Sequence, residues 1–246
     1  MEKVLEKRIT PPLTPSVSLE TNSKTSGSRV PPVIIADPGS THMGKLEYAL
    51  ELIDISADIG VDYLKFQLFP DQARFTAQGN IALPYEWWPQ LMERAESKHV
   101  MLAASVFDDD GLLMICKHPV NYVKFSYSMR GKYNWVKYVH EKKKKVMVSC
   151  DLLEIGNYDK GDIKLLCVPD YPVKYTLDFY GMFNPGRFDG FSDHTLGWHQ
   201  TINAFYQGAG WIEKHIRLDH GDVKCPDALF ALSPDEMYGM IKAVKG

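Results

Sequence analysis

The sequence lacks a basic excess, paired cysteines and any long apolar run, and each absence argues against a class of function. Its formal net charge is −3, so the composition does not favour a nucleic-acid partner. The four cysteines (Cys116, Cys150, Cys167 and Cys225) are scattered without a C-x-x-C pair, which argues against a thiolate zinc site and a disulfide framework. No run of 18 apolar residues predicts a membrane span, and no apolar stretch near the N-terminus predicts a signal peptide. These features predict a soluble cytoplasmic protein that binds neither nucleic acid nor membrane.

The composition divides the chain into two parts. Residues 1–32 are rich in Pro, Ser, Thr and Lys, and Pro11, Pro12 and Pro15 oppose regular structure there. The whole chain has 246 residues and is 45% hydrophobic, which is enough to bury one sizeable core. We therefore predict an N-terminal extension or barrel cap at residues 1–32 and a single domain at residues 33–246.

Short apolar or β-branched segments alternate along this domain with segments of helical period. The strand candidates are "VIIAD", "YLKFQLF", "VMLAASVF", "YVKFSYS", "KVMVSC", "IKLLCVP", "GFSDHT" and "WIEKHIRL". The helical spacing i, i+3, i+4, i+7 is apolar at Leu46, Ala49, Leu50 and Ile53, and again at Ile202, Phe205, Tyr206 and Ala209. Eight strand–helix units predict a (β/α)₈ TIM barrel, whose usual size is roughly 250 residues. An open doubly wound sheet is the alternative, because alternation alone does not prove closure.

The last predicted helix has a clear start signal. Ser233 fits the N-cap, Pro234 fits the first helical position, and Glu236 completes a capping box. The predicted buried stripe of this helix consists of Met237, Met240, Ile241 and Val244.

Polar residues occur late in, or just after, almost every predicted strand. They are Asp37, Lys65, Gln67, Ser105, Lys124, Ser126, Ser149, Tyr171, Ser192, Asp193, His194, Glu213 and His215. In a TIM barrel the carboxyl ends of the strands form the active-site mouth, so we expect these side chains to converge. Any single one has a structural explanation as a hydrogen-bonded or snorkelling residue, but lysines, hydroxyls and two imidazoles together suit phosphate, carboxylate and a divalent metal. Within "EKH", Glu213 and His215 are predicted to face the mouth and Lys214 to alternate away from it.

The segment "GSTHMGKL" offers a competing interpretation. Gly39, Gly44 and Lys45 match the G-x-x-x-x-G-K pattern of a phosphate-binding P-loop. The next residue should be Ser or Thr to bind Mg²⁺, but it is Leu46, which lies on the apolar helical stripe. We therefore interpret the glycines as a tight strand-to-helix turn and Lys45 as a solvated residue.

Four segments resemble the N-acetylneuraminate (sialic acid) synthase family. They are "IIADPGSTHMGKLEYALELIDISADIGVDYLKFQ", "LLCVPDYP", "FSDHTLG" and "IEKHIRLD", of which the "SDHT" and "EKH" motifs are the most specific. The resemblance runs from about Val33 to the C-terminus. It implies a barrel that condenses phosphoenolpyruvate with an N-acetylated amino sugar and releases a nonulosonic (sialic) acid and phosphate. It also implies a divalent metal, Mn²⁺ by preference with Mg²⁺ or Co²⁺ as alternatives, and a homodimer.

The resemblance assigns roles to individual residues. The implied catalytic residues are Asp37, His194, Glu213 and His215, and the two histidines are the implied metal ligands. The implied substrate-binding residues are Lys65, Gln67, Ser105, Lys124, Ser126, Ser149, Tyr171, Ser192 and Asp227. Lysine and serine side chains would hold phosphoenolpyruvate, and Gln67 and Tyr171 would face the acceptor sugar.

The chain also departs from the family pattern. Asp37 replaces the usual Glu, Thr41-His42 replaces Asn-His, and Pro169 replaces an Asn. The chain ends at Gly246, where family members often continue into an antifreeze-like domain. Because these departures concern acceptor recognition, we expect an acceptor other than N-acetylmannosamine to be compatible with the site. Two alternatives stay open: a non-catalytic or altered-specificity barrel that binds a sugar or phosphate, and another phosphoenolpyruvate-dependent keto-deoxy-sugar synthase.

Overall fold

Eight parallel strands form a closed barrel in the order β1 to β8. The computed structural model describes residues 30–70, 81–152, 158–221 and 224–246. The strands are β1 (Val33–Asp37), β2 (Tyr63–Leu68), β3 (Met101–Val106), β4 (Tyr122–Phe125), β5 (Lys145–Cys150), β6 (Ile163–Cys167), β7 (Gly190–Asp193) and β8 (Trp211–His215). Pairing of β8 with β1 closes the barrel, from Val33 opposite Trp211 to Asp37 opposite His215. The TIM-barrel prediction is confirmed, and the open doubly wound sheet is ruled out.

Six α-helices lie in the described part of the chain. They are α1 (Leu46–Asp58), α2 (Trp88–Lys98), α3 (Asp109–Cys116), α4 (Tyr133–Glu141), α5 (His199–Tyr206) and α6 (Pro234–Lys245). The expected helix after β6 is absent, because residues 168–189, all of them described, form turns and irregular backbone. Pro169, Pro172 and Pro185 in this connection explain the difference, since each removes a backbone donor. None of the helices described is both long and apolar enough to cross a membrane.

The predicted N-terminal extension is largely outside the described residues. Residues 1–29 are not described, and residues 30–32 form neither helix nor strand. The first strand of the described residues is β1, and the boundary between extension and domain stays a prediction.

The barrel interior changes character from bottom to top. Its lower part is filled by a small apolar cluster of Ile35, Tyr63, Ala103, Met147, Ile163 and Leu165. The larger apolar cluster lies between the outer faces of the strands and the helices. Because side chains alternate along a strand, Ile35 enters the lower core and Asp37, two residues later, enters the mouth. The upper interior layer is therefore polar.

The helix patterns are confirmed at α6 and need correction at α5. Ser233 Oγ accepts a hydrogen bond from the Glu236 backbone N–H at 3.2 Å, the Glu236 carboxylate accepts one from the Ser233 N–H at 2.8 Å, and the predicted stripe of this helix is buried. In α5, Phe205 is buried, but Tyr206 is 61% exposed. Thr201 and Ala204 are buried in its place, so the buried face is rotated from the predicted one. In α1 the predicted stripe packs against the core as expected.

Candidate active site

A cavity of about 470 Å³ opens at the carboxyl ends of the strands. The structure brings thirteen of the residues singled out from the sequence to its wall: Asp37, Lys65, Gln67, Ser105, Lys124, Ser126, Ser149, Tyr171, Ser192, His194, Glu213, His215 and Asp227. Asp193 was grouped with them, but its side chain lies on the outer face of β7, where it contacts Lys214. The shared location is a finding, whereas the role of each side chain stays a prediction.

Two buried ion pairs form the floor of the cavity. Lys65 Nζ lies 2.6 Å from Asp37 Oδ2, and Lys124 Nζ lies 2.8 Å from Glu213 Oε1. Lys65 Nζ is also 3.8 Å from Glu213 Oε2, which joins the two pairs. All four side chains are at most 3% exposed. Two cations and two anions therefore balance one another away from water.

Mutual attraction keeps Asp37, Glu213 and Lys65 charged despite their burial. Burial acts to raise the pKa of Glu213, but the charges of Lys124 and Lys65 outweigh it and lower that pKa to about 2. Burial acts on Asp37 in the same way, and Lys65 and His215 hold its pKa well below the usual range. Burial acts to lower the pKa of Lys65, but Asp37 and Glu213 raise it. Asp37, Glu213 and Lys65 are therefore ionised at neutral pH.

Hydrogen bonds hold the carboxylates in place. Asp37 Oδ2 accepts from Gln67 Nε2 at 2.8 Å, and Asp37 Oδ1 accepts from the Gly39 N–H at 2.8 Å. Glu213 Oε1 accepts from Ser192 Oγ at 2.7 Å, and Ser105 Oγ accepts from Lys65 Nζ at 3.0 Å. Although Asp37 is one methylene shorter than the usual Glu, both of its carboxylate oxygens accept hydrogen bonds within this chain.

The two predicted metal ligands lie side by side. The ring centroids of His194 and His215 are 5.6 Å apart. His194 Nδ1 lies 3.1 Å from the Val168 carbonyl, so a neutral ring donating there keeps the Nε2 lone pair available. Burial and the neighbouring His215 lower the pKa of His194 to about 3, which favours the neutral form. His215 Nδ1 is buried and has no hydrogen-bond partner among the residues described.

These observations fit a divalent metal bound by two imidazoles. A neutral imidazole and an unpartnered buried ring nitrogen are suitable donors for Mn²⁺ or Co²⁺. Across residues 30–70, 81–152, 158–221 and 224–246, no group of three or more His, Cys, Asp and Glu side chains is arranged to hold a metal. The histidine pair would therefore supply a partial ligand set, which water or substrate would complete.

The β1–α1 loop brings Asp227 to the histidines. Asp227 Oδ2 accepts from the Ser40 N–H at 2.7 Å, and Asp227 Oδ1 lies 3.7 Å from His215 Nδ1. Gly39 has φ +55°, and a Cβ there would lie 2.4 Å from Asp227 Oδ2. Glycine is therefore required both for the backbone conformation and for the approach of the carboxylate.

The same loop agrees with the turn interpretation and not with a P-loop. Gly44 also has a positive φ, +66°, as expected at a tight strand-to-helix turn. Lys45 is exposed, and its ammonium lies 4.3 Å from the centre of the Tyr48 ring. It points to solvent and not to the cavity.

Aromatic side chains line the upper wall, and apart from Tyr171 the sequence did not single them out. The Phe230 ring lies 4.8 Å from that of His215, and Tyr171 lies 4.3 Å from His194. Phe69 and Phe107 stack at 4.0 Å on another side of the cavity. These two residues directly follow β2 and β3, and that position was the available signal. Phe230 lies in an irregular loop, where no periodic pattern marks it.

Comparison with known proteins places the chain in a family. The sequence model of the NeuB family matches residues 52–246. Spore coat polysaccharide biosynthesis protein SpsE from Bacillus subtilis is 28% identical, over 91% of this chain and 69% of that protein. A pseudaminic acid synthase from Campylobacter jejuni is 27% identical, over 86% of this chain and 72% of that protein.

Solved structures agree with the fold. The crystal structure of SpsE from Bacillus subtilis superposes with a TM-score of 0.72 at 27% identity and covers 89% of this chain and 68% of that one. An N-acetylneuraminic acid synthetase from Leptospira borgpetersenii, in complex with citrate, superposes with a TM-score of 0.79 at 24% identity, over 88% of this chain and 83% of that one. The resemblance to sialic acid synthases and the expectation of an enzyme of the phosphoenolpyruvate-dependent condensing kind are confirmed, and this chain belongs to the NeuB family.

Proposed function

We propose that this chain condenses phosphoenolpyruvate with the open-chain aldehyde of an N-acetylated amino sugar, giving a nonulosonic acid and inorganic phosphate. The observation that carries this proposal is the pair of buried lysines, Lys65 and Lys124, beside two imidazoles in one cavity. A small trianionic substrate needs such cations, and a carbonyl acceptor needs an electrophilic catalyst nearby.

The cavity floor can bind phosphoenolpyruvate without losing its own ion pairs. An ammonium has three N–H donors, and Lys65 uses two of them on Asp37 and Ser105. Lys124 directs its contacts at the two oxygens of Glu213. We infer that the remaining donors bind the substrate carboxylate. The hydroxyl of Ser149 on β5 would bind its phosphate, and that of Ser192 on β7 would join it by turning its single O–H from Glu213 to the phosphate.

The fixed ions also suit the charge that the reaction develops. C3 of phosphoenolpyruvate attacks the aldehyde carbon, which forms the new carbon–carbon bond and leaves C2 electron-poor. Asp37 and Glu213 stay ionised and would stabilise this positive charge without rearranging. Water then adds to C2, and the adduct loses phosphate by cleavage of the C2–O bond. The oxygen of that water becomes the keto oxygen, and its two protons end on the new hydroxyl and on phosphate.

His194 and His215 would hold the divalent metal. Mn²⁺ or Co²⁺ suits them better than Mg²⁺, because imidazole is a poor ligand for Mg²⁺. When bound, such a metal supplies Lewis-acid polarisation of the acceptor's carbonyl oxygen. Asp227 Oδ1 lies 3.7 Å from His215 Nδ1, so this carboxylate would lie beside the metal.

The upper wall supports an acceptor with apolar substituents. The stacked pair of Phe69 and Phe107 and the ring of Tyr171 offer apolar surface within the same cavity as the ions. An acetamido methyl group would pack against such a surface. The pyrrolidine ring of Pro169 lies at the same wall. It contributes to the shape of the cavity but can form no side-chain hydrogen bond.

An isotope experiment tests the reaction class. The purified chain is incubated with Mn²⁺, phosphoenolpyruvate carrying ¹⁸O at the bridging oxygen, and single acceptors from a panel. The panel contains N-acetylmannosamine, its 6-phosphate, a diacetamido 6-deoxyhexose and a non-acetylated aldose phosphate. We expect phosphate release that depends on an N-acetylated acceptor and carries the ¹⁸O label. Release without acceptor, with the label left in pyruvate, would identify a phosphatase instead.

Two other outcomes would also contradict the proposal. Activity with the non-acetylated aldose phosphate alone would identify another keto-deoxy-sugar synthase. Binding of phosphoenolpyruvate without turnover of any acceptor would identify a non-catalytic barrel.

A further inference from the structure

A buried ion pair lies directly behind the two histidines, on the outer faces of β7 and β8. Asp193 and Lys214 are opposite each other in the strand register, and their side chains are 0% exposed. Lys214 Nζ lies 3.4 Å from Asp193 Oδ2. Because side chains alternate along a strand, the next residues, His194 and His215, face inward. The pair therefore connects β7 and β8 at the last paired position before the histidines.

Lys214 and Asp193 together hold both neighbours of His194. Lys214 Nζ donates a hydrogen bond to the Thr195 carbonyl, across the position of His194. Asp193 Oδ1 accepts from the Thr195 N–H at 2.8 Å and from its hydroxyl at 2.7 Å. Asp193 Oδ2 accepts from the hydroxyl of Thr201 on α5 at 2.7 Å. His194 thus lies in a backbone segment fixed from the strand, the helix and the neighbouring strand.

The backbone pairing of β7 and β8 ends just before the two histidine rings. The recorded register of β7 and β8 ends at Asp193 opposite Lys214. The His194 carbonyl accepts from the Val173 N–H at 3.0 Å, and the His215 carbonyl accepts from the Leu232 N–H at 2.9 Å. The carbonyls of the two histidines are therefore bonded to different loops, and the side chains of Asp193 and Lys214 connect the two strands just behind the rings.

We propose that Asp193 and Lys214 are positioning residues, which set the separation of His194 and His215 and thereby the affinity for the metal. This inference rests on the proposed function, because it assumes that the two imidazoles share one ion. A buried ion pair is weak evidence for a contribution to stability, since apolar replacements of similar volume are often neutral. The specific contact of Lys214 with the Thr195 carbonyl gives this pair a geometric role.

Titration with Mn²⁺ tests the proposal on variants of the whole chain. Lys214→Met keeps the length of the side chain but removes the charge and the donor to Thr195. We expect its Mn²⁺ affinity, measured by calorimetry, to fall 10- to 100-fold, as is typical when an outer partner of a metal ligand is removed. Spin-echo modulation from bound Mn²⁺ should show two coupled imidazoles in the wild type and a weakened or missing one in the variant. Asp193→Asn preserves the shape and should show the same direction of change.

A matched control separates positioning from stability. Lys245 Nζ lies 2.6 Å from Asp62 at the opposite end of the barrel, so Lys245→Met also removes a lysine from an ion pair. It should lower the melting temperature and leave Mn²⁺ affinity unchanged. An equal loss of affinity in this control would overturn the positioning role.

The outcomes distinguish this inference from the proposed function. Wild-type affinity in a folded Lys214→Met and in Asp193→Asn overturns the positioning role alone. If Lys214→Met does not fold, the affinity of Asp193→Asn decides. A wild type that binds no Mn²⁺ overturns the metal site and the positioning role with it.

Discussion

At the residue scale, the charged side chains of the mouth that we propose to bind substrate also bind one another. Lys124 and Glu213 are each at most 3% exposed and are bonded to each other. Removing one partner of a buried pair leaves an uncompensated charge, so a loss of activity in such a variant has two causes. Measurements of folding are therefore needed beside measurements of turnover.

Lys124→Met should destabilise the fold by about 3–5 kcal/mol, because the partners left to Glu213 among the residues described are Ser192 and the more distant Lys65. Denaturant unfolding measures this loss. The control Lys245→Met breaks a pair whose side chains are 25% and 29% exposed, and it should cost about 1 kcal/mol or less. Equal costs in the two variants would contradict the buried arrangement at Lys124.

The residues of the site were predictable from the sequence where a strand period applied. Lys65, Glu213 and His215 could be assigned to the mouth because they occur late in apolar strands, and the outward direction of Lys214 follows from alternation. The same alternation places Asp193 outside, although its motif suggested the mouth. Phe230 could not be found, because loop residues reach the site through the path of the backbone and not through a period.

At the scale of the element, the β1–α1 loop contains a buried histidine that makes stability depend on pH. His42 is 0% exposed, and its Nδ1 accepts from the Gly44 N–H at 3.1 Å, while its Nε2 has no partner among the residues described. Burial lowers its pKa from 6.5 to about 4. Between these values the unfolded chain binds a proton that the folded chain does not, so stability falls as the pH is lowered.

His42→Asn should remove this dependence, because an amide can accept from Gly44 without titrating. Urea unfolding from pH 6.5 to about pH 4 should show the slope of stability against pH reduced by about 1.4 kcal/mol per unit. At pH 8 the histidine is neutral in both the folded and the unfolded state. The difference in unfolding free energy between variant and wild type should therefore no longer change with pH. An unchanged slope would mean that His42 is not buried as a neutral ring.

The last helix offers a prediction that concerns stability alone. Ser233→Ala removes the side-chain acceptor for the Glu236 N–H and should cost about 1 kcal/mol. Ser97→Ala in α2 is the control, since that hydroxyl is exposed and donates only to the Arg94 carbonyl. Thermal or urea unfolding of both variants measures the difference. Turnover should be unchanged in each, because neither side chain lines the cavity.

Elements with a regular period were predictable, and irregular ones were not. The eight strands and the capping box of α6 follow from local patterns, whereas the connection from β6 to β7 contains no helix. The prolines of this connection argue against a helix there, but the prediction of eight strand–helix units did not take them into account. Four apolar positions at helical spacing were not enough to predict which face of α5 is buried. The helix ends at Tyr206, before the predicted apolar stripe is complete.

At the scale of the whole molecule, closure of the barrel brings the carboxyl ends of the eight strands together around one cavity. Asp37 and His215 are far apart in the chain, but they are opposite each other where β1 and β8 close the barrel. Residues from β1, β2, β4 and β8 then share one floor of ions. The homodimer implied by the resemblance stays a prediction, which light scattering of the purified chain would check.

The metal should be measurable as a property of the whole fold. Mn²⁺ at about 100 times its dissociation constant would stabilise the folded chain by about 2.7 kcal/mol. For a chain of this size, that corresponds to a rise in melting temperature of about 5–10 °C, and Mg²⁺ should give a smaller rise. His194→Ala and His215→Ala should each lose most of the Mn²⁺-dependent rise. Two histidines with a purely structural role would instead give a wild type that melts at the same temperature in Mn²⁺ and in chelator, with both variants melting lower in each condition.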